Sequence, residues 1–228
     1  ICLIWRRRPD VVFSTLGHLN LALAMARPFL PNGVRYVARE TIVVSSLSDG
    51  YSIPVWWGWA YRHFYNQFDT VVCQSQDMRT DLILNYGLLK EKVVVINNPI
   101  DLDLVKRASR EDVALATTKF DLKDKNAIYL LAVGRLTKQK GFDLLIEAIS
   151  LCDNDQLKLV LLGDGPLELD LRRLVTKFGI ERQVSFVSFQ RNPYPFFAKA
   201  DAFVLSSRFE GFPNVMLEAL ACRTPVIA

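Results

Sequence analysis

The stretch Ile128–Cys152 reads IYLLAVGRLTKQKGFDLLIEAISLC. Its first six residues form an apolar, β-branched run of the length of a strand buried on both faces. Gly134–Gly141 is a polar, glycine-bounded loop. Phe142–Cys152 then carries apolar residues at Phe142, Leu145, Ile146 and Ile149, the spacing of one helix face. The same order recurs downstream. Leu157–Leu162 is a strand, Gly163-Asp164-Gly165-Pro166 a turn and Leu167–Phe178 a helix. Val184–Phe186 is a short strand, with a helix at Pro193–Ala198. Ala202–Leu205 is a strand, Ser206–Pro213 a loop and Asn214–Ala221 a helix, and Pro225–Ala228 opens another strand. Strand, loop and helix repeated in this way predict a doubly wound parallel sheet. Ligands of such sheets sit at the carboxyl ends of the strands. The loops Gly134–Gly141, Gly163–Pro166, Phe186–Asn192 and Ser206–Asn214 are therefore expected on one edge.

Upstream the pattern is similar but less regular. Strands are expected at Asp10–Ser14, Arg35–Arg39, Thr41–Val44, Thr70–Cys73 and Val93–Ile96. Helices are expected at Leu16–Pro28, Ser52–Phe68 and from Gln76 to Asn85. The charged segment Asp101–Lys125 reads as a linker and a first helical entry to the second unit. The division expected is a first domain over 1–122 and a second over 123–228.

Bulk properties exclude several classes. Half of the 228 residues are hydrophobic and the net charge is only +4, a globular composition without the dense basic surface of a nucleic-acid binder. The four cysteines, Cys2, Cys73, Cys152 and Cys222, are far apart, with no metal-binding spacing. Reduced thiols in a cytoplasmic protein are expected. No apolar run is long enough to span a bilayer. The first residue is Ile and the last segment reads as a strand just starting, so a fragment of a longer chain is expected.

The loops suggest anion chemistry. Arg135 and Lys140 flank a helix N-terminus, where free N–H groups and cations together suit a diphosphate; a solvated basic turn is the competing reading. Gly163-Asp164-Gly165 lacks the third glycine of a dinucleotide fingerprint and reads as turn chemistry. The segment Phe209–Leu220, FEGFPNVMLEAL, is more specific. Pro213 suits the first helical turn, where its missing N–H costs nothing. Glu218 lies among apolar neighbours, and a partly buried carboxylate without a partner is costly unless a ligand supplies one.

GRLTKQKG, LLGDGP and EGFPNVMLEAL, in that order, resemble the donor domain of family 4 glycosyltransferases of the GT-B fold. Glu210 and Glu218 match the family's E-x7-E spacing, and Arg135 and Lys140 its G-R-L-x-x-x-K-G loop. The resemblance is strong over about 126–228. It is looser over RPDVVFS, FDTVVCQSQDMRTDL and VVVINNPID. It implies two Rossmann-like domains facing a cleft, both truncated here, and metal-independent retaining transfer of a sugar from a nucleotide diphosphate, UDP ahead of GDP. Arg135 and Lys140 would neutralise the leaving diphosphate, Glu218 would hold the ribose and Glu210 the sugar. Gly134, Gly211, Phe212, Pro213, Asn214 and Val215 complete the implied donor site, and the base would lie along Phe186–Arg191. No cofactor and no metal ion are implied. The implied acceptor is a glycan or lipid-linked glycan, with no nucleic-acid partner. The implied location is cytoplasmic, with peripheral contact at the inner face of the plasma membrane as an added expectation.

The first half departs from the family pattern. The Gly-rich loop after its first strand is missing. Arg39 and Glu40 stand where a histidine facing the donor is looked for. His18, in Gly17-His18-Leu19-Asn20, is a further acceptor-side candidate with an equally good structural reading, whereas His63 reads as structural. The aromatic stretch Tyr51–Phe68 reads as core packing with one exposed strip; a membrane-interface patch assisted by Arg6-Arg7-Arg8 is the alternative. Two other functions compatible with the residues are a GT-B UDP-N-acetylhexosamine epimerase, against which the E-x7-E spacing argues, and a non-catalytic nucleotide-sugar-binding module.

Overall fold

The computed structural model describes residues 2–46, 54, 56–111 and 126–228. The chain divides into two compact units, Ile1–Asn98 with Glu210–Phe212, and Pro99–Phe209 with Pro213–Ala228. The expected boundary between 122 and 123 lies outside the described residues, as do Ser52 and Ile53 at the expected start of the aromatic helix.

The first unit is a parallel sheet of β1 (Val11–Thr15), β2 (Arg35–Arg39), β3 (Thr70–Cys73) and β4 (Val93–Val95), in that spatial order. Alternate residues of the inner strands, Tyr36, Ala38, Val71 and Cys73, point into one core with Leu21 and Ala24, Tyr61 and Tyr65, and Met78 and Leu82 from the surrounding helices. Helix Gln76–Tyr86 is bounded as its sequence dictates. Ser75 accepts the Met78 N–H at 3.3 Å, and Gly87 closes the helix in the left-handed conformation. The expected strand Thr41–Val44 is not formed. After Glu40 donates its N–H to Val72, the chain turns away, the Ser45 N–H reaches the Asp81 carboxylate, and Val44 enters the core. Here tertiary burial overrides the β propensity of the Ile-Val-Val run. The Arg6–Arg8 region overlaps a short helix, Cys2–Arg7. Arg6 and Arg7 occupy its last turn, where cations complement the helix dipole.

The second unit is a five-stranded parallel sheet. Its strands are β5 (Ile128–Val133), β6 (Leu157–Leu162), β7 (Val184–Val187), β8 (Ala202–Val204) and β9 (Val226–Ile227), in the order β7-β6-β5-β8-β9. Successive side chains of the central strands meet two different buried clusters. Ala132, Leu159 and Leu161 meet helices Phe142–Ser150 and Glu168–Phe178 on one face. Leu131, Val160 and Leu162 meet Phe196, Phe197 and Ala219 on the other. Helices thus cover both faces, which explains why these strands read as continuous apolar runs. Helix Leu102–Ala108, capped by Asp101 through the Leu104 N–H at 2.9 Å, clusters with this unit.

Each sheet carries, within itself, the same kind of clasp at its amino end. Asp69, one residue before β3, accepts the Tyr36 N–H at 2.7 Å and returns its own N–H to the Tyr36 carbonyl. Asp201, one residue before β8, does the same with Tyr129 of β5, again at 2.7 Å. Each aspartate satisfies the ladder groups at the start of a central strand, which otherwise would have no partner there.

Candidate active site

The strand order of the second unit reverses direction between β5 and β8. In open parallel sheets this switch point leaves a crevice beyond the carboxyl ends of the strands. A pocket of about 570 Å³ lies there. The end of β5 contributes Gly134 and Arg135, the end of β6 contributes Gly163 and Asp164, and the loop after β7 contributes Phe189, Gln190 and Arg191. Tyr194 follows that loop, and Val215 and Glu218 come from helix Asn214–Ala221. All four loops read from the sequence as sharing one edge belong to the carboxyl-end side of this sheet.

The loop Gly134–Gly141 is held in several places. The Gly134 N–H binds the Leu162 carbonyl at 3.0 Å, and the Leu136 N–H binds the Asp164 carbonyl at 3.0 Å. From the other side, Arg208 clamps the loop. Its guanidinium grips both oxygens of Asp143 at 2.7 and 2.6 Å, and also reaches the Lys138 carbonyl at 2.9 Å. The Ser206 hydroxyl donates to the Lys140 carbonyl, and the Gln139 amide donates to the Phe209 carbonyl. The bidentate pairing holds the Asp143 carboxyl below the usual carboxylate range and raises Arg208. Neither Arg208 nor Asp143 stands out in the sequence as part of a site, because the pair is 65 residues apart.

The turn Gly163–Gly165 carries more than turn chemistry. A side chain at Gly163 would collide with the Gly134 carbonyl, and one at Gly165 would come within 2.5 Å of Leu136 backbone atoms. The glycines therefore allow the β6 turn to stack directly on the β5 loop. Between them, the Asp164 carboxylate accepts the Phe189 N–H at 3.2 Å. Asp164 lines the pocket although its sequence reads as a plain turn residue; two glycines one residue apart at a strand end were the available signal.

Arg135 is exposed at the pocket and forms no ion pair among the described residues. The aliphatic part of Lys140 lies over Gly134, so a Cβ there would be 3.0 Å from the Lys140 Cε. In the same pocket lining Glu218 is half-buried, and burial raises its pKa above the ordinary glutamate value. Tyr194 beside it is also raised, by burial first and by the Glu218 charge second. Pro213 supplies no side-chain cap to helix Asn214–Ala221. Of the residues singled out in the sequence, Gly134, Arg135, Val215 and Glu218 thus line one pocket, with Lys140 alongside Gly134. Pro213 and Asn214 lie at the start of the Glu218 helix, outside the pocket lining. Glu210, Gly211 and Phe212 are not in the lining and fall with the first unit.

The first-unit candidates separate. His18 is exposed in helix Gly17–Ala26. The Arg39 guanidinium donates to the Asn98 side-chain oxygen at 2.8 Å. Glu40 is 1 % exposed and sits at the end of β2 inside the aromatic core. One of its oxygens accepts from the Tyr65 hydroxyl, from Tyr61 at 3.4 Å and from the Asn20 amide at 2.9 Å. Burial raises the Glu40 pKa despite these donors, which oppose the rise. The aromatic helix Trp56–Phe64 buries Tyr61 while Trp56 and Trp59 remain exposed. Its buried side supplies Tyr61 to Glu40, and Tyr65 follows in the next turn. Among the described residues no three His, Cys, Asp or Glu side chains gather as a metal set, and no helix is long and apolar enough to cross a membrane.

Comparison with known proteins is consistent over the whole chain. Residues 116–228 match the model of Glycosyl transferases group 1, and residues 3–104 match that of Glycosyltransferase Family 4. The chain is 37 % identical over 227 residues to a Campylobacter jejuni enzyme, N-acetylgalactosamine-N,N'-diacetylbacillosaminyl-diphospho-undecaprenol 4-alpha-N-acetylgalactosaminyltransferase. That match covers 96 % of the chain and 57 % of the enzyme. It is 31 % identical to the lipopolysaccharide core biosynthesis glycosyltransferase LpsD of Rhizobium meliloti, over 72 % of the chain and 45 % of that protein. Among solved structures, Anabaena HepE in complex with UDP and glucose superposes with a TM-score of 0.80 at 22 % identity, over 100 % of this chain and 61 % of HepE. The chain therefore spans about half the length of the relatives it matches.

Proposed function

Because this chain belongs to the family 4 glycosyltransferases and has their GT-B type of parallel α/β sheets, we propose that the protein transfers a hexose from a UDP-sugar to a glycan or lipid-linked acceptor in glycoconjugate synthesis. One observation carries the reading. At the switch point of the second sheet, an exposed arginine without an acidic partner among the described residues and a half-buried glutamate line the same pocket of about 570 Å³. A nucleoside diphosphate matches that polarity. Its phosphates suit the Arg135 guanidinium, and its ribose hydroxyls suit the Glu218 carboxylate. The UDP complexes of HepE and the undecaprenol-linked acceptor of the Campylobacter relative support the donor and acceptor classes.

In this proposal the anomeric C–O bond to the diphosphate breaks and a C–O bond to the acceptor hydroxyl forms on the same face. The acceptor proton passes to the leaving diphosphate. Arg135 and Lys140 stabilise the charge that grows there, in place of a metal ion. Glu210 holds the transferred sugar, and the loop after β7 holds the base. Peripheral membrane contact is part of the proposal. It is supported by exposed Leu3, Trp5 and Phe29, with the Trp5 indole N–H donating to the Phe29 carbonyl at 3.0 Å, beside exposed Arg6, Arg7 and Arg8.

The test is a donor screen on the protein, following release of UDP or GDP with and without EDTA in the presence of lipid-linked acceptors. The expected outcome is acceptor-dependent UDP release that EDTA leaves unchanged. Loss of release with EDTA overturns the metal-independent part. Absence of release with every donor overturns the transferase reading.

A further inference from the structure

The Gly163–Gly165 turn joins two loops that both line the pocket. Asp164 is bonded to both. Its backbone carbonyl accepts the Leu136 N–H at 3.0 Å, from the loop that carries Arg135. Its carboxylate accepts the Phe189 N–H at 3.2 Å, from the loop that carries Gln190 and Arg191. Further bonds fix the turn. The Leu167 N–H returns to the Leu136 carbonyl at 3.1 Å, and the Gly163 N–H binds the Val187 carbonyl at 2.8 Å. The turn cannot shift without moving the β5 loop, because the glycines at 163 and 165 leave no space between the backbones. In contrast, the Phe189–Arg191 segment lies beyond the last sheet bond of β7, and Phe189 is largely exposed. Among the described residues, that segment is tied to the β6 turn by the bond from the Phe189 N–H to Asp164 alone.

We infer that Asp164 is a positioning residue. Its carboxylate fixes the loop after β7 at a set distance from Arg135, and so sets the site's selectivity for the base of the bound nucleotide. The inference rests on the proposed nucleotide site. A carboxylate is suited to this task because a charge-assisted hydrogen bond to a backbone N–H is stronger than a neutral one. The carboxylate need not touch the nucleotide. Removing it would release the loop that meets the base while leaving the Leu136 bond, which uses the Asp164 backbone, in place.

The experiment compares wild-type protein with Asp164→Ala, Asp164→Asn and Arg135→Ala, titrating UDP, GDP, uridine and inorganic pyrophosphate. The expected result for Asp164→Ala is about tenfold weaker binding of UDP and of uridine, the scale of one lost charge-assisted hydrogen bond. Pyrophosphate binding should be unchanged and the preference between UDP and GDP should narrow. Asp164→Asn keeps an oxygen that can accept the Phe189 N–H, so it should recover most of the lost affinity and selectivity. Arg135→Ala should show the opposite pattern, weakening UDP and pyrophosphate and sparing uridine. A general structural loss in Asp164→Ala would weaken all ligands together and would overturn the inference, as would unchanged UDP affinity and base preference. If Arg135→Ala also leaves UDP and pyrophosphate unaffected, the nucleotide site itself is wrong. If Arg135→Ala weakens them while Asp164→Ala changes nothing, only the positioning role fails.

Discussion

Glu40 shows how far one residue's chemistry can diverge from its sequence context. Arg39-Glu40 ends a strand at the edge where a substrate-facing group is looked for, yet the carboxyl is enclosed by Tyr61, Tyr65 and Asn20. Its burial raises the pKa. The consequence for stability has a definite sign. The unfolded chain releases the Glu40 proton at the ordinary carboxylate pKa, whereas the folded chain retains it to higher pH. This contribution is therefore full below the unfolded pKa and is lost as pH rises towards the folded value. In Glu40→Gln, an oxygen still accepts from the two tyrosines and Asn20. Thermal unfolding across this pH window should show wild type losing stability as pH rises, with a flatter curve for the Gln variant; equal slopes would contradict the account. Glu40→Ala should cost about 3 kcal/mol below the unfolded-state pKa, because buried donors are left without an acceptor, and less as pH rises and the wild type loses the Glu40 contribution.

Among the elements, strands and helices of the second unit were the most legible. Ile128–Val133, Leu157–Leu162 and Asn214–Ala221 have the bounds their hydrophobic patterns predict. They are legible because both sheet faces are covered, so burial leaves long apolar runs with glycine or proline at their ends. Thr41–Val44 misled for the complementary reason: a β-branched run can be apolar because it enters a core as a turn. The short helix Cys2–Arg7 has too few residues to show periodicity. It presents Leu3 and Trp5 beside Arg6–Arg8, with Phe29 at 75 % exposure close by. The membrane proposal belongs to this element. Co-sedimentation should show binding to vesicles containing phosphatidylglycerol that weakens with salt, since basic residues near an anionic surface contribute about 1 kcal/mol each. Replacing Arg6, Arg7 and Arg8 by Gln should reduce it by at least tenfold. Equal binding to purely phosphatidylcholine vesicles, or no effect of the triple replacement, would contradict the proposal.

At the scale of the molecule, the sequence conveyed the class of fold and the edge on which the pocket lies, because strand order and loop placement follow from the β-loop-α repeat. It did not convey how the pocket is braced. The Arg208–Asp143 clamp and the Asp164–Phe189 bond link residues distant in sequence, and each partner looks like an ordinary surface residue until the sheet brings the loops together. Tyr194 was hidden in the same way: it opens the short helix Tyr194–Lys199, and only the fold brings it to the pocket lining with Glu218. All of the proposed chemistry requires a nucleoside diphosphate in the switch-point pocket of the second unit. The most direct measurement is a crystal structure of the protein with UDP. Diphosphate oxygens are expected within hydrogen-bond distance of the Arg135 guanidinium, and ribose hydroxyls on the Glu218 carboxylate. UDP bound elsewhere, with Arg135 and Glu218 both untouched, would contradict the proposal.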